Sequence, residues 1–471
     1  MTDELWRCAA QDLASRIAHG ELSAREVVQA QLDRIDGVNE SVRAVVVRLD
    51  GEALEAADRA DARRASGELL GPLHGVPITL KENLDLGGHP TTQGVPALAD
   101  APAPADEPAV ARLRAAGAIP IARTNMPDMG LRLHTDSALY GPTLNPWDPT
   151  RTPGGSSGGE AAALATGMSP LGVGNDMCGS LRWPSQCCGV ATLKPTLGSI
   201  PRPHRPGTPL SVELIAVHGP MARWAADLRT AYLVMAGAHP CDPWSVPAST
   251  SESAGHLWRR RVAVTTDPMG LGSHPDVVAG IDRAAGLLDD AGWEVAEAEP
   301  PRCAEAARLW PEIVFGTPTE DTLGPLLSET AARVLGIWAI TAGVSPDPTI
   351  LAGALLRRSE ILREWGAFFD SYGLWLTATG TNLPFEVGAD EHDADRVRRI
   401  LDGHRVIMAT NALGLPSAVV PVGVVNGLPQ SVQLVGPRFA ELACLQAAEA
   451  VESASTPIDP VGLTERSQTC A

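Results

Sequence analysis

Only two lysines, Lys81 and Lys194, stand among the 37 basic residues of this 471-residue chain. Lysine is ordinarily one of the commoner residues, yet nearly every cation here is arginine. What a lysine can do and an arginine cannot is lose its proton when buried and act as a base. The plainer alternative for each is a structural ammonium. Lys81 closes the apolar run Val76–Lys81 (VPITLK), and apolar burial is the condition that brings an ammonium pKa down toward neutrality. A neutral amine is useful beside a hydroxyl. The chain concentrates its glycine and serine between residues 152 and 200, in Gly154–Gly159 (GGSSGG) and again in Asp176–Ser180 (DMCGS).

Several chemistries compete for that segment. A phosphate loop would need Gly-Lys-Ser/Thr after the glycines, and GGSSGG lacks it. A nucleophile elbow is formally matched by Gly155–Gly159 with Ser157 at its centre, but that motif follows a buried strand. Pro146, Pro149 and Pro153 spoil the preceding residues as a strand, which demotes Ser157 with His218 or His404 as base. Ser-x-x-Lys chemistry is excluded, since neither lysine has a serine three residues before it. What remains is serine chemistry with a lysine base. Ser180 follows a tight turn whose backbone N–H groups can converge on an oxyanion beside its hydroxyl. The eight cysteines include no C-x-x-C pair, and Cys187–Cys188 suit neither a metal nor an ordinary bridge. The eleven histidines show no metal spacing and no placed carboxylate, so surface or capping roles are expected for them.

Taken together, GVPITLKENLDLGGHPTTQG, TNMPDMG, NPWDPTRTPGGSSGG, GNDMCGSLR and CGVATLKPT resemble the amidase signature family, whose members hydrolyse amides with a Ser-Ser-Lys triad. The resemblance runs from Ala9 to Gly237 and resumes at Asn411 (NALGLPSAVVPVG), through QSVQLVGPRF. It implies Lys81 as base, Ser156 as the bridging serine on an unusual cis peptide, and Ser180 as nucleophile. It further implies an oxyanion hole from the backbone of Met177, Cys178, Gly179 and Ser180. Ser157, Asp176 and Arg182 fall on positions that support the site by hydrogen bonds and charge pairing. The chain departs from the family at Cys178, where a second glycine is usual; a side chain there disfavours positive φ and adds bulk near the oxyanion. Lys194, after the CGVAT run, is expected to tie down loop carbonyls. The implied enzyme needs no metal or organic cofactor. Its alternatives are a glutaminase subunit of a tRNA-dependent amidotransferase, an acyltransferase using the same acyl-enzyme, and a catalytically silent binding protein.

The elements that must position these residues are legible as alternating patterns. Ser23–Glu26 has the form of a capping box ahead of a helix to about Asp36. Arg43–Leu49 reads as a strand, Glu52–Ser66 as a helix and Val76–Lys81 as a strand. The alternation continues through Pro108–Ala116 and Ile119–Ala122, Arg261–Thr265 and Pro275–Ala291, and Ser417–Val424, Ser431–Val435 and Glu441–Glu452. This predicts an α/β fold, a large mixed sheet sandwiched between helical layers. The chain is expected to form one amidase signature domain over residues 1–471, with a core at 152–200 and a variable middle region at 238–404 lining the substrate pocket. A Pro/Ser-rich stretch, Ala238–His256, reads as a surface loop or a boundary between lobes.

Composition bounds the partners. A formal charge of -19, from 37 basic and 56 acidic residues, argues against nucleic acid and anionic membranes. It favours a neutral small-molecule amide, and a homodimer remains open. The longest apolar run, Ala412–Leu428, is broken by Gly414, Pro416, Pro421, Gly423 and Gly427 and does not read as a membrane span. The opening MTDELWRCAA carries no signal-like pattern, so the cytoplasm is expected. Trp310, Phe315, Trp338, Trp365, Phe368, Phe369 and Trp375 gather in the middle region. They are expected chiefly to pack a core, with a share in an apolar acyl pocket for hydrophobic or aromatic amides.

Overall fold

The computed structural model describes residues 4–205, 207–247, 260–316, 324–392, 394–456, 458–459 and 461. Thirteen strands are described: β1 (Val45–Arg48), β2 (Pro77–Lys81), β3 (Ile119–Thr124), β4 (Asp136–Ser137), β5 (Gly141–Pro142), β6 (Leu171–Asp176), β7 (Ala191–Lys194), β8 (Val217–Ala222), β9 (Arg261–Thr265), β10 (Glu294–Glu297), β11 (Leu374–Ala378), β12 (Ser417–Val425) and β13 (Leu428–Val435). Eleven of them form one sheet in the order β1-β3-β2-β6-β8-β7-β12-β13-β11-β9-β10, and β4 and β5 form a separate small hairpin. The sheet is mixed. β3, β2 and β6 run parallel, as do β11, β9 and β10, while β6 through β13 alternate antiparallel.

Helices cover both faces, as the α/β reading requires. One apolar layer packs Ala24–Val42, Gly158–Ala165, Arg182–Cys188, Cys303–Phe315 and Arg405–Ala412 against the sheet. The other packs Pro108–Ala115, Ala225–Met235, Pro275–Asp290 and Glu441–Ala454. Helices on both faces bury these strands along their length, polar positions included: β2 is buried at all five positions and β13 at all eight.

Local signals survive in detail. Ser23 and Glu26 form the reciprocal capping box, and the helix behind it runs on to Val42, beyond the expected Asp36. The extension follows the burial of Val38 and Val42, which continue the apolar stripe. Within the Pro/Ser-rich stretch, residues 238–247 are described and 248–256 lie outside the described residues. Trp310, Phe315, Trp338, Trp365, Phe369 and Trp375 are buried in the first layer, with Phe368 packed against it. Trp365 meets Trp375 edge-on at 5.6 Å between ring centroids. No described helix is long and apolar enough to cross a membrane.

Candidate active site

β2 delivers Lys81 to the site. Side chains alternate along a strand, so Thr79 and Lys81 share one face. Lys81 is fully buried; its Nζ lies 2.6 Å from Ser156 Oγ and 2.7 Å from the Asn175 Oδ1 acceptor. Burial lowers the Lys81 pKa to about 7 against the opposing pull of the Asp176 and Glu160 charges. Ser156 stands just ahead of the helix Gly158–Ala165, and the Gly155–Ser156 peptide is cis.

The turn after β6 places Ser180. Asp176 organises it: its carboxylate accepts from the backbone N–H of Gly179 at 2.8 Å and of Leu181 at 3.2 Å, and from Asn411 Nδ2 at 2.9 Å. It also pairs with the fully buried Arg182 at 3.1 Å. Arg182 and these hydrogen bonds hold the Asp176 carboxyl well below the usual carboxylate range although burial opposes this. Arg182 in turn donates to Thr410 Oγ1 at 2.6 Å and to Gln433 Oε1 at 3.3 Å, tying the turn to the C-terminal part of the chain. Met177 O accepts from Trp310 Nε1 at 2.7 Å, so the middle region braces the turn from behind.

Two details of this turn bear on the expectations for Cys178 and the oxyanion hole. The residue that adopts the left-handed conformation is Gly179, at φ 88°, and a Cβ there would run into the Ile407 side chain. Cys178 is not among the residues with positive φ. It packs into the apolar layer with its thiol pKa raised by burial, which makes it an inert hydrophobe. Of the four N–H groups assigned to an oxyanion hole, that of Gly179 is engaged by Asp176. Those of Met177, Cys178 and Ser180 have no acceptor among the described residues.

Ser157 also differs in part. Its backbone N–H donates to Ser180 O at 3.1 Å and so links the two serine segments, but its hydroxyl is buried with no partner among the described residues. Neither histidine proposed for an elbow hydrogen-bonds Ser157. His404 bonds Ile400 O at 2.7 Å and packs against Trp183, and His218 lies 3.1 Å from Glu107. The surface and capping expectation for the histidines holds for His274, which caps Pro275–Asp290. It fails for His74, His134, His218 and His404, all buried. Burial keeps His134 and His404 neutral, with pKa values lowered to about 4.

Ser156, Asn175, Met177 and Ser180 line a cavity of about 320 Å³. Its other described walls come from Asn83, Gln93 and Glu107, from Met129 to Leu131, and from the segment around Arg202, Arg205, Val212 and His218. The aromatic cluster of the middle region does not line it: those rings are part of the first apolar layer, and Trp310 among them reaches the turn. Lys194, by contrast with Lys81, donates to Pro195 O at 3.0 Å, the loop-carbonyl role expected of it. Sequence reading missed Asn175 and Glu160, and it named Trp310 only as a core aromatic, without its hydrogen bond to the turn. Asn175 had a signal, a polar residue in an otherwise apolar run; Glu160 had none without the fold. Among the described residues no group of three or more His, Cys, Asp or Glu is placed to hold a metal ion.

The Amidase family profile matches residues 26–445, and the chain belongs to this amidase signature family. It is an amide-hydrolysing enzyme. The chain is 41% identical over 460 residues to an indoleacetamide hydrolase of Bradyrhizobium diazoefficiens, covering 95% of this chain and 87% of that one. It is 34% identical over 507 residues to the A-type subunit of a glutamyl-tRNA(Gln) amidotransferase from Salinispora arenicola, covering 98% and 100%. Its fold matches the crystal structure of a bacterial aryl acylamidase with a TM-score of 0.81 at 25% identity, covering 95% and 96%.

Proposed function

We propose that this enzyme hydrolyses neutral hydrophobic or aryl carboxamides through an acyl-enzyme on Ser180. The observation that carries the mechanism is the 2.6 Å contact between Lys81 Nζ and Ser156 Oγ inside a fully buried environment. Neutral Lys81 accepts the Ser156 proton while Ser156 accepts that of Ser180, and Ser180 Oγ attacks the amide carbonyl. The open N–H groups of Met177, Cys178 and Ser180 stabilise the tetrahedral oxyanion. The proton returns from Lys81 through Ser156 to the leaving nitrogen, and water clears the acyl group by the same relay. Asn175 keeps the Lys81 amine aimed at Ser156 by accepting one of its N–H bonds.

For the acyl group, support comes from the similarity to an indoleacetamide hydrolase and to an aryl acylamidase, and from a cavity of about 320 Å³ with Met129, Leu131 and Val212 in its walls. That volume suits a small-molecule ligand. The decisive experiment compares kcat/KM for indoleacetamide and phenylacetamide with that for glutamine at equal ionic strength. Preference for the aryl acetamides is expected. Preference for glutamine, or copurification of partner chains, would instead establish the glutaminase reading, which the 34% identity to an amidotransferase component favours. Added hydroxylamine should trap little acyl group; dominant hydroxamate formation would mark an acyltransferase.

A further inference from the structure

Glu160 is fully buried, yet it makes no ion pair among the described residues. A carboxylate removed from water without a cation costs several kcal/mol, so its surroundings should reveal what compensates. Thr79 Oγ1 donates to one oxygen, and Thr124 Oγ1 donates to the other at 2.7 Å. Both threonines belong to the machinery around Lys81. Thr79 precedes it by two residues on the same face of β2, and Thr124 is its register partner on β3. On the other side, Thr79 is paired with Gly172 of β6, where any Cβ would overlap the Glu160 carboxylate. Three adjacent strands therefore leave a slot for this side chain on the face that carries Lys81.

The helix Gly158–Ala165 that bears Glu160 packs on β1, β2, β3, β6, β8 and Arg182–Cys188. The charged and titratable groups these contribute are Arg48, paired with Asp36 and Asp50; Lys81; Arg123, paired with Glu82; Asp176, paired with Arg182; His218, beside Glu107; and the thiols Cys187 and Cys188. Among the described residues every charged group in this set except Lys81 has an ion-pair partner or, for His218, an acid beside it; Lys81 has no ion pair and feels the negative charges of Asp176 and Glu160. Lys81 is also the charge that acts on Glu160, whose carboxyl is pushed up to about 7 by burial.

We propose that Glu160 is a positioning residue for Lys81: its carboxyl group, held by Thr79 and Thr124, sets how readily the Lys81 amine gives up its proton. The proposal rests on the reading of Lys81 as the base. A negative charge on Glu160 favours the ammonium form of Lys81, and a proton on Glu160 favours the neutral, reactive amine.

The test is the pH profile of kcat/KM on an aryl acetamide for the wild type, Glu160→Gln, Thr124→Val, Thr124→Ser and Lys81→Ala. Glu160→Gln removes the negative charge, so the acid limb should move to lower pH by about one unit. Thr124→Val removes a donor that favours the charged carboxylate, giving a smaller shift in the same direction, and Thr124→Ser should restore the wild-type limb. An unmoved limb in folded Glu160→Gln, whatever the loss in kcat, overturns the proposal. If Glu160→Gln does not fold, the Thr124 pair decides: a limb that Thr124→Val leaves in place is equally fatal. A fully active Lys81→Ala would bring down the lysine-base reading itself, whereas an inactive Lys81→Ala with an unmoved limb defeats only the role of Glu160.

Discussion

Lys81 and Lys194 sit at the ends of two strands of one sheet, β2 and β7, and both are fully buried. Burial lowers both amines to about 7. The neighbourhoods nevertheless differ in what can take up a proton. Lys81 faces Ser156 Oγ, whose segment opens on the cavity with Ser180, and it is oriented by Asn175. Lys194 donates to the carbonyl of its own neighbour Pro195 and, among the described residues, hydrogen-bonds no side-chain hydroxyl. A depressed pKa makes an amine available as a base; a hydroxyl chain leading to a reacting atom makes it a catalytic one. Burial alone serves both lysines equally and cannot distinguish them.

The contrast can be broken or sharpened by substitution. The largest effect is expected at Ser180: Ser180→Ala should lower kcat by on the order of a thousandfold or more, and a serine-directed fluorophosphonate should label Ser180 in mass mapping. A label on Ser157 would reassign the nucleophile. Next comes Lys81→Arg, expected to be nearly as damaging as Lys81→Ala, on the order of a hundredfold or more, because a guanidinium stays protonated. In the wild type, activity should rise with pH through about 7 as Lys81 loses its proton; an acid limb absent from that range would separate the amine from catalysis.

Lys194→Met should leave kcat within a few-fold of wild type and act on stability instead. The amine of Lys194 binds its proton less tightly when folded, at about 7 against an ordinary 10.5. Between those values the unfolded chain carries more protons, so stability rises with pH, and below about 7 the full cost of charging the buried amine is present. Lys81 adds the same sign. Denaturant midpoints should therefore climb less steeply from pH 7 to 10 in Lys194→Met than in the wild type. A large loss of turnover in this variant would place both lysines in the chemistry. The smallest effect is expected from Cys178→Gly: because Gly179 already supplies the left-handed residue, activity should stay within a few-fold of wild type. A large gain would show that the cysteine does crowd the oxyanion.

Sequence patterns identified the elements because each depends on neighbours in the chain. The capping box at Ser23–Glu26 is closed by residues three apart, and the apolar run into Lys81 is one strand. Scarcity of lysine and density of serine and glycine pointed to serine chemistry with a lysine base, and the family resemblance named the residues. What the cavity is made of was not legible. The middle-region aromatics pack the core, their chief expected role, and none of them lines the cavity, because apolar composition says that a ring is buried but not which space it borders. Four histidines expected at the surface are interior for the same reason.

Residue types and spacing were enough for the fold class, the family, and the three segments that hold Lys81, Ser156 and Ser180. Folding in three dimensions was needed to show that Lys81 meets Ser156 and Lys194 does not, that Asp176 engages Gly179 N–H, and that Arg182 reaches Thr410 and Gln433. Hydrogen bonds and desolvation act over a few ångströms in space. The residues they join here are brought together by the order of strands in the sheet, which no local periodicity encodes.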